Sequence, residues 1–138
     1  MKSFTPLGTL RSETASAGRV LLVEDDPDTA EFLQHVLIKR GRFDVTHTTD
    51  PVIALALAIS ELWNLVLVGV DLPVMSGHDV LAALRTLAPH LPVILVAAHP
   101  LDVCPPVFDV CRPDAVLAKP VRADHLLAAI GTAISRPQ

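Results

Sequence analysis

Acidic side chains and one lysine each follow a short apolar run that has the length of a β-strand. The acids are Glu24, Asp25 and Asp71, and the lysine is Lys119. Carboxylate oxygens are the ligands that a hard cation such as Mg²⁺ prefers, and a lysine ammonium group suits a phosphate. The alternative is a structural cluster in which Lys119 neutralises the acids and no ligand binds. The spacing alone leaves both interpretations open.

Gly69 stands where the apolar run 65–68 enters a loop rich in Asp, Pro, Ser and Gly. In an open parallel sheet, ligands bind outside the carboxyl ends of the strands, so this position should border any site. Glycine brings no side chain to such a site, and the nearest acid is Asp71, two residues later. Residue 69 therefore cannot serve as a nucleophile.

Five strand-like runs alternate with stretches of helical periodicity. The predicted strands are 20–23, 43–48, 65–68, 92–96 and 115–118, and the predicted helices cover about 27–40, 52–59, 80–87 and 124–134. Four of the strands are continuously apolar, which predicts an α/β fold with a parallel sheet covered by helices on both faces. Right-handed crossovers favour a five-stranded sheet in the order 2-1-3-4-5, with 43–48 at its edge.

The helical pattern also predicts which side chains face the core. These are Leu33, Val36 and Leu37, then Val80, Leu81, Leu84 and Leu87, and finally Leu127, Ile130 and Ile134. Asp26, Asp50 and Ser76 are interpreted as helix N-caps, the first two before a proline. His99 is interpreted as a solvated loop residue rather than a ligand.

A proline-rich segment separates the fourth strand from the fifth. An interior proline costs a helix about 3 kcal/mol, so we expect a short fourth helix from 105–106 to before Pro113, or an irregular connection. Its apolar residues either shape a partner surface or only cover the sheet: Val103, Val107, Phe108 and Val110.

The composition is that of one globular domain. The chain has 138 residues, of which 51% are hydrophobic, and a net charge of −4, so a basic nucleic-acid surface is not expected. No apolar run approaches the roughly 18 residues of a membrane span. We expect residues 1–18 to be a flexible leader and 19–136 to be the domain. Two cysteines, Cys104 and Cys111, make no disulfide framework, which favours the cytoplasm.

Four motifs, taken together and in order, resemble the receiver domain of two-component response regulators over about residues 19–134. They are Val-Leu-Leu-Val-Glu24-Asp25-Asp26, the loop Pro73-x-Met75-x-Gly77, Pro92-Val-Ile and Lys119-Pro120. The resemblance implies a flavodoxin-like fold in which the acidic pair holds Mg²⁺. It also implies that an aspartate ending the third strand accepts a phosphoryl group from a histidine kinase. A Thr or Ser ending the fourth strand and the lysine then contact the phosphoryl oxygens, and an aromatic residue in the fifth strand reorients.

Glu24, Asp25 and Lys119 match that pattern, but three other positions depart from it. The acceptor position is Gly69, the hydroxyl position is Ala97 and the aromatic position is Val116. We therefore expect no catalytic residue and, at most, weak Mg²⁺ binding by Glu24 and Asp25. Lys119 is expected to form an ion pair with Asp25 or Asp71.

The function that this pattern predicts is a signalling receiver that binds proteins without phosphorylation and is not an enzyme. The expected partner is a histidine kinase, an output domain or a second copy of the chain in a homodimer, with no nucleic acid and no membrane. One alternative is a phosphorylatable regulator that uses Asp71 or another pocket carboxylate. A second is a flavodoxin-like enzyme or small-ligand binder, although the sequence has no Gly-rich phosphate loop.

Overall fold

The computed structural model describes residues 9–11, 15–99 and 112–135. Its elements, in chain order, are β1 (Arg19–Val23), α1 (Pro27–Lys39), β2 (Asp44–Thr48), α2 (Pro51–Ser60), β3 (Leu65–Gly69), α3 (Gly77–Leu87), β4 (Val93–Ala97), β5 (Ala115–Ala118) and α4 (Ala123–Ser135). The helix predicted between β4 and β5 lies largely outside the described residues, as do both cysteines and the four apolar residues named with it. None of the described helices combines the length and the apolar character that a membrane span requires.

The five strands form one parallel sheet in the predicted order, β2-β1-β3-β4-β5. The α/β fold class and the edge position of β2 are thus confirmed. The register pairs Val23 with Val68 and Gly69 with Val96, so the carboxyl ends of β1, β3 and β4 meet at one edge of the sheet. This edge carries the candidate site.

Alternation of side chains divides the core into two layers. Val20 and Leu22 of β1 pack in the layer that includes α1 and α4, whereas Leu21 and Val23 pack in the layer of α2 and α3. Because successive strand residues point to opposite faces, counting by two from a buried residue predicts the direction of residues just past a strand end. That count matters for the site.

The helix starts follow the predicted caps, with one difference in detail. The Asp50 carboxylate accepts a hydrogen bond from the Val52 backbone N–H at 2.8 Å, and Ser76 forms a capping box with Asp79. Asp26 occupies the N-cap position before Pro27, but its side chain makes no capping bond. The predicted position of Asp26 is therefore correct, but the capping hydrogen bond expected of an N-cap side chain is not formed.

The predicted inner faces are wrong at two helix ends. Leu33, Val36, Leu37, Val80, Leu81 and Leu84 are buried as predicted. Leu87 is instead 52% exposed and Ile134 is 37% exposed. In α4 the buried residues are Leu126, Ile130 and Ala133, so the core-facing stripe lies about one residue away from the predicted one. In α4 the residue before Ile134, Ala133, is buried, so Ile134 is exposed because it lies beside the core-facing stripe.

Part of the predicted leader lies against the sheet. The backbone of Leu10 pairs antiparallel with Val45 of β2 through two hydrogen bonds, of 2.7 and 2.8 Å. Thr9 is buried, and its hydroxyl bonds that of Thr46. The division of the chain into a leader and a domain stays a prediction, but these residues cover the outer edge of β2.

Candidate functional site

Three residues at the carboxyl edge of the sheet point into one space. Glu24 directly follows β1, Gly69 ends β3 and Lys119 directly follows β5. Counting by two from Leu22, Leu67 and Leu117, which pack in the α1/α4 layer, places all three on that face. Because Val23 and Val68 are paired, Glu24 comes to lie beside Gly69.

Glu24 is a buried carboxylate, with a side chain only 1% exposed. Its Oε2 atom accepts hydrogen bonds from Lys119 Nζ at 3.2 Å and from the Asp26 backbone N–H at 3.0 Å. Its Oε1 atom is buried and has no hydrogen-bond partner. Glutamate is seldom fully buried unless it is paired, and the Lys119 ammonium group supplies the compensating charge.

The Glu24 carboxylate fills the space that a side chain at residue 69 would need. A Cβ atom built on Gly69 would lie 2.7 Å from Oε1, 3.0 Å from Cδ and 3.1 Å from Oε2 of Glu24. Among the described residues, Gly18 is the glycine with a positive φ, so Gly69 is not required by a left-handed backbone. The close approach of the carboxylate instead leaves room for no side chain at residue 69 unless Glu24 moves.

Lys119 pairs with Glu24, so the prediction that it pairs with Asp25 or Asp71 is wrong. Its side chain is 20% exposed and spans the distance from β5 to the end of β1. Asp25 and Asp71 are exposed, and neither forms an ion pair within the part of the chain that the structure describes. Asp25 follows Glu24 by one residue, and side chains at successive positions point to opposite faces.

The loop after β3 brings the start of α3 against the end of the strand. The Gly77 backbone N–H donates to the Val70 carbonyl at 2.8 Å. A Cβ atom at Gly77 would overlap the Gly69 carbonyl oxygen and approach the Val70 Cα atom to 2.8 Å. The glycine of the Pro73-x-Met75-x-Gly77 motif is therefore explained by contact between two backbones.

The two other positions at which the sequence departs from the receiver pattern offer no polar side chain. Ala97 ends β4 and is buried, whereas Val116 in β5 is 37% exposed. His99 is exposed, as predicted. Neither alanine nor valine can hydrogen-bond a phosphoryl oxygen, so these positions contribute only apolar surface.

Asp26 lies at the rim of the cleft, and its pKa is lowered. The Thr29 hydroxyl donates a hydrogen bond of 2.5 Å to its carboxylate, which is the main cause, and the charge of Lys119 contributes less. Both interactions favour the ionised form, so the rim of the cleft stays negatively charged.

The Glu24 carboxylate is not free to bind Mg²⁺ while it is paired with Lys119. Mg²⁺ needs oxygen ligands in nearly ideal octahedral geometry. Within the described residues, no group of three or more His, Cys, Asp or Glu side chains is placed to hold a metal. Glu24, the acid closest to the strands, already binds Lys119 through one oxygen and turns the other toward Gly69.

A second buried ion pair, which was not predicted, lies away from this cleft. Arg85 Nη2 of α3 is 3.2 Å from Asp114 Oδ2, and the Asp114 side chain is 1% exposed. The same Asp114 oxygen accepts the Val93 backbone N–H at 2.8 Å. These contacts join α3 to the starts of β4 and β5, so their role is structural. No local pattern of the sequence indicates this pair.

Residues 20–131 match the family model of the response regulator receiver domain. Among curated proteins, the sensory transduction protein RegX3 of Mycobacterium tuberculosis is 36% identical over 117 residues, which are 85% of this chain and 51% of RegX3. The response regulator protein FleR of Pseudomonas aeruginosa is 39% identical over 83 residues, which are 60% of this chain and 17% of FleR. The chain thus spans about half or less of the curated relatives it matches.

Solved structures of receiver domains share the fold. A CheY-like receiver domain protein from Methanospirillum hungatei has a TM-score of 0.74 and 27% identity, and the match covers 86% of this chain and 94% of that one. The receiver domain of a sensor histidine kinase from Pseudomonas aeruginosa, with a magnesium ion in its active-site cleft, has a TM-score of 0.76 and 24% identity. That match covers 88% of this chain and 100% of the other. With a family match over most of its length and the same sheet order, this chain belongs to the response regulator receiver domains of two-component signalling.

Proposed function

We propose that this receiver acts by binding a protein partner and is not switched by phosphorylation. The observation that carries the proposal is the occupied space at Gly69. No side chain there can accept a phosphoryl group, and the Glu24 carboxylate already lies where such a side chain would begin.

Phosphoryl transfer depends on alignment of the acceptor with a metal and with groups that stabilise charge. In this cleft Lys119 is paired with Glu24, and Ala97 offers no hydroxyl group. Glu24 is itself a poor acceptor, because both of its oxygens are buried against neighbours. Asp71 is exposed in the loop, and no contact in the described residues orients it toward Lys119.

The partner that we propose is a histidine kinase, an output domain or a second copy of the chain. The activity is one of binding, with no covalent step and no enzymatic turnover. Sedimentation velocity over a range of protein concentrations would test for self-association. If the chain self-associates, its weight-average sedimentation coefficient should rise with concentration.

The phosphorylation test is intact-mass spectrometry after incubation with a small phosphodonor and Mg²⁺. We expect no phosphoryl adduct on the wild-type chain under conditions that label a receiver with an acceptor aspartate. An adduct that disappears in Asp71→Asn would instead support a regulator that uses Asp71. An adduct that persists in Asp71→Asn and disappears in Glu24→Gln would assign the acceptor to Glu24. Either adduct overturns the proposal.

A further inference from the structure

We propose that Gly69, Glu24 and Lys119 form one unit that closes the cleft to divalent cations. The glycine leaves the room in which Glu24 binds Lys119, and the lysine ammonium group then neutralises the carboxylate that a cation would need. The inference rests on the proposed function in one respect, since it assigns a role to the same cleft in the absence of phosphorylation.

Neither oxygen of Glu24 is offered to the cleft. Oε2 receives hydrogen bonds from Lys119 and from the Asp26 backbone N–H. Oε1 is buried and points at Gly69, where a Cβ atom would stand only 2.7 Å away. A metal ligand needs an accessible lone pair, and this carboxylate has none that solvent can reach.

A free cation would have to displace a cation that belongs to the chain. The Lys119 ammonium lies 3.2 Å from Glu24 Oε2, in a place where the carboxylate is shielded from water. A tethered group competes at a high effective concentration, whereas a dissolved ion pays the full cost of association. The neighbouring acids, Asp25 and Asp71, are exposed, and exposed carboxylates hold ions weakly.

The inference is tested by titrating the full chain with MgCl₂, followed by calorimetry and by the shift in Tm. We expect Lys119→Met to bind Mg²⁺ about tenfold or more tightly than the wild type, because the uncompensated Glu24 carboxylate then needs a counterion. Lys119→Met combined with Glu24→Gln should lose that gain. The matched control is Arg85→Met, which breaks a buried ion pair away from the cleft and should leave the Mg²⁺ affinity at the wild-type value.

Gly69→Ala provides a second variant in case Lys119→Met does not fold. Its methyl group displaces the Glu24 carboxylate without changing any charge, so Mg²⁺ should raise the Tm of this variant more than that of the wild type. Equal Mg²⁺ affinity in the wild type and in either variant would overturn the inference, whether that affinity is high or undetectable. If the wild type binds Mg²⁺ as tightly as the variants do but gains no phosphoryl mass, only this inference is overturned and the proposed function stands. A phosphoryl adduct would overturn the proposed function.

Discussion

Replacing Gly69 by alanine should destabilise the domain, but only while Glu24 is present. The new methyl group would begin 2.7 Å from Oε1 and 3.0 Å from Cδ of Glu24, which is too close for van der Waals contact. Because the carboxylate is the end of a flexible side chain, it would move rather than the backbone. It would then lose the hydrogen bonds from Lys119 and from the Asp26 backbone N–H.

The size of the effect follows from those two bonds. A hydrogen bond to a charged group contributes about 1.5–3 kcal/mol, and part of that is recovered when the displaced carboxylate reaches water. Alanine also restricts the unfolded chain, which offsets the loss by about 0.4–1 kcal/mol. We therefore expect Gly69→Ala to lower the free energy of unfolding by about 2 kcal/mol. In a Glu24→Ala background the same change should be neutral or stabilising by up to about 1 kcal/mol.

Urea unfolding of the four proteins in this double-mutant cycle measures the coupling. The single tryptophan, Trp63, provides the fluorescence signal, and its indole N–H donates to the Leu57 carbonyl at 2.9 Å, so its environment changes on unfolding. The expected coupling free energy between residues 69 and 24 is about 2–3 kcal/mol. If Gly69→Ala costs the same in both backgrounds, to within about 0.5 kcal/mol, the Glu24 carboxylate does not occupy this space.

Three further outcomes are expected. Gly77→Ala should lower the free energy of unfolding, measured in urea, by about 1–3 kcal/mol, because the new methyl group would overlap backbone atoms, which cannot change rotamer as a side chain can. A loss under about 0.5 kcal/mol would contradict this prediction. Arg85→Met should lower the free energy of unfolding by about 3 kcal/mol, since it removes the Arg85 guanidinium group from the buried Asp114 carboxylate, and an unchanged Tm in thermal unfolding would refute that account. Thr29→Val should raise the pKa of Asp26 toward its ordinary value, as followed by NMR titration, because the hydroxyl that stabilises the ionised carboxylate is removed. A carboxylate whose pKa is lowered in the folded state stabilises the protein above the unfolded-state pKa, and this stabilisation is lost as pH falls through the folded-state pKa. The stability difference between Thr29→Val and the wild type should therefore shrink in acid. An unchanged Asp26 pKa in Thr29→Val would argue against the hydroxyl group as the cause of the lowered pKa.

The fold could be predicted from the sequence because its signals are local. Continuous apolar runs indicate buried parallel strands, and the prolines after Asp26 and Asp50 indicate helix starts. The predicted inner faces fail at Leu87 and Ile134, because the apolar pattern of one helix does not show which of its residues another element covers. Which helix residues are buried depends on both of the elements that pack together.

The site could be predicted only in part. The sequence placed Glu24 and Lys119 at the same edge of the sheet, and the structure brings them together. It assigned the wrong partner to Lys119, although counting by two from Leu22 and from Leu117 points Glu24 and Lys119 to one face. The role of Gly69 depends on how close its backbone lies to the Glu24 carboxylate. These two residues are far apart in the chain, and no local sequence pattern indicates their distance.

The short antiparallel pairing of Leu10 with Val45 has a practical consequence for protein production. The family match begins at residue 20, and a chain cut there would lose both hydrogen bonds between Leu10 and Val45 and leave the Val45 backbone N–H and carbonyl uncovered. An uncovered strand edge is a template for pairing with another molecule. Expression boundaries are therefore better drawn before Thr9, because a shortened chain that dimerises or precipitates would report the cut edge and not the natural partner of this domain.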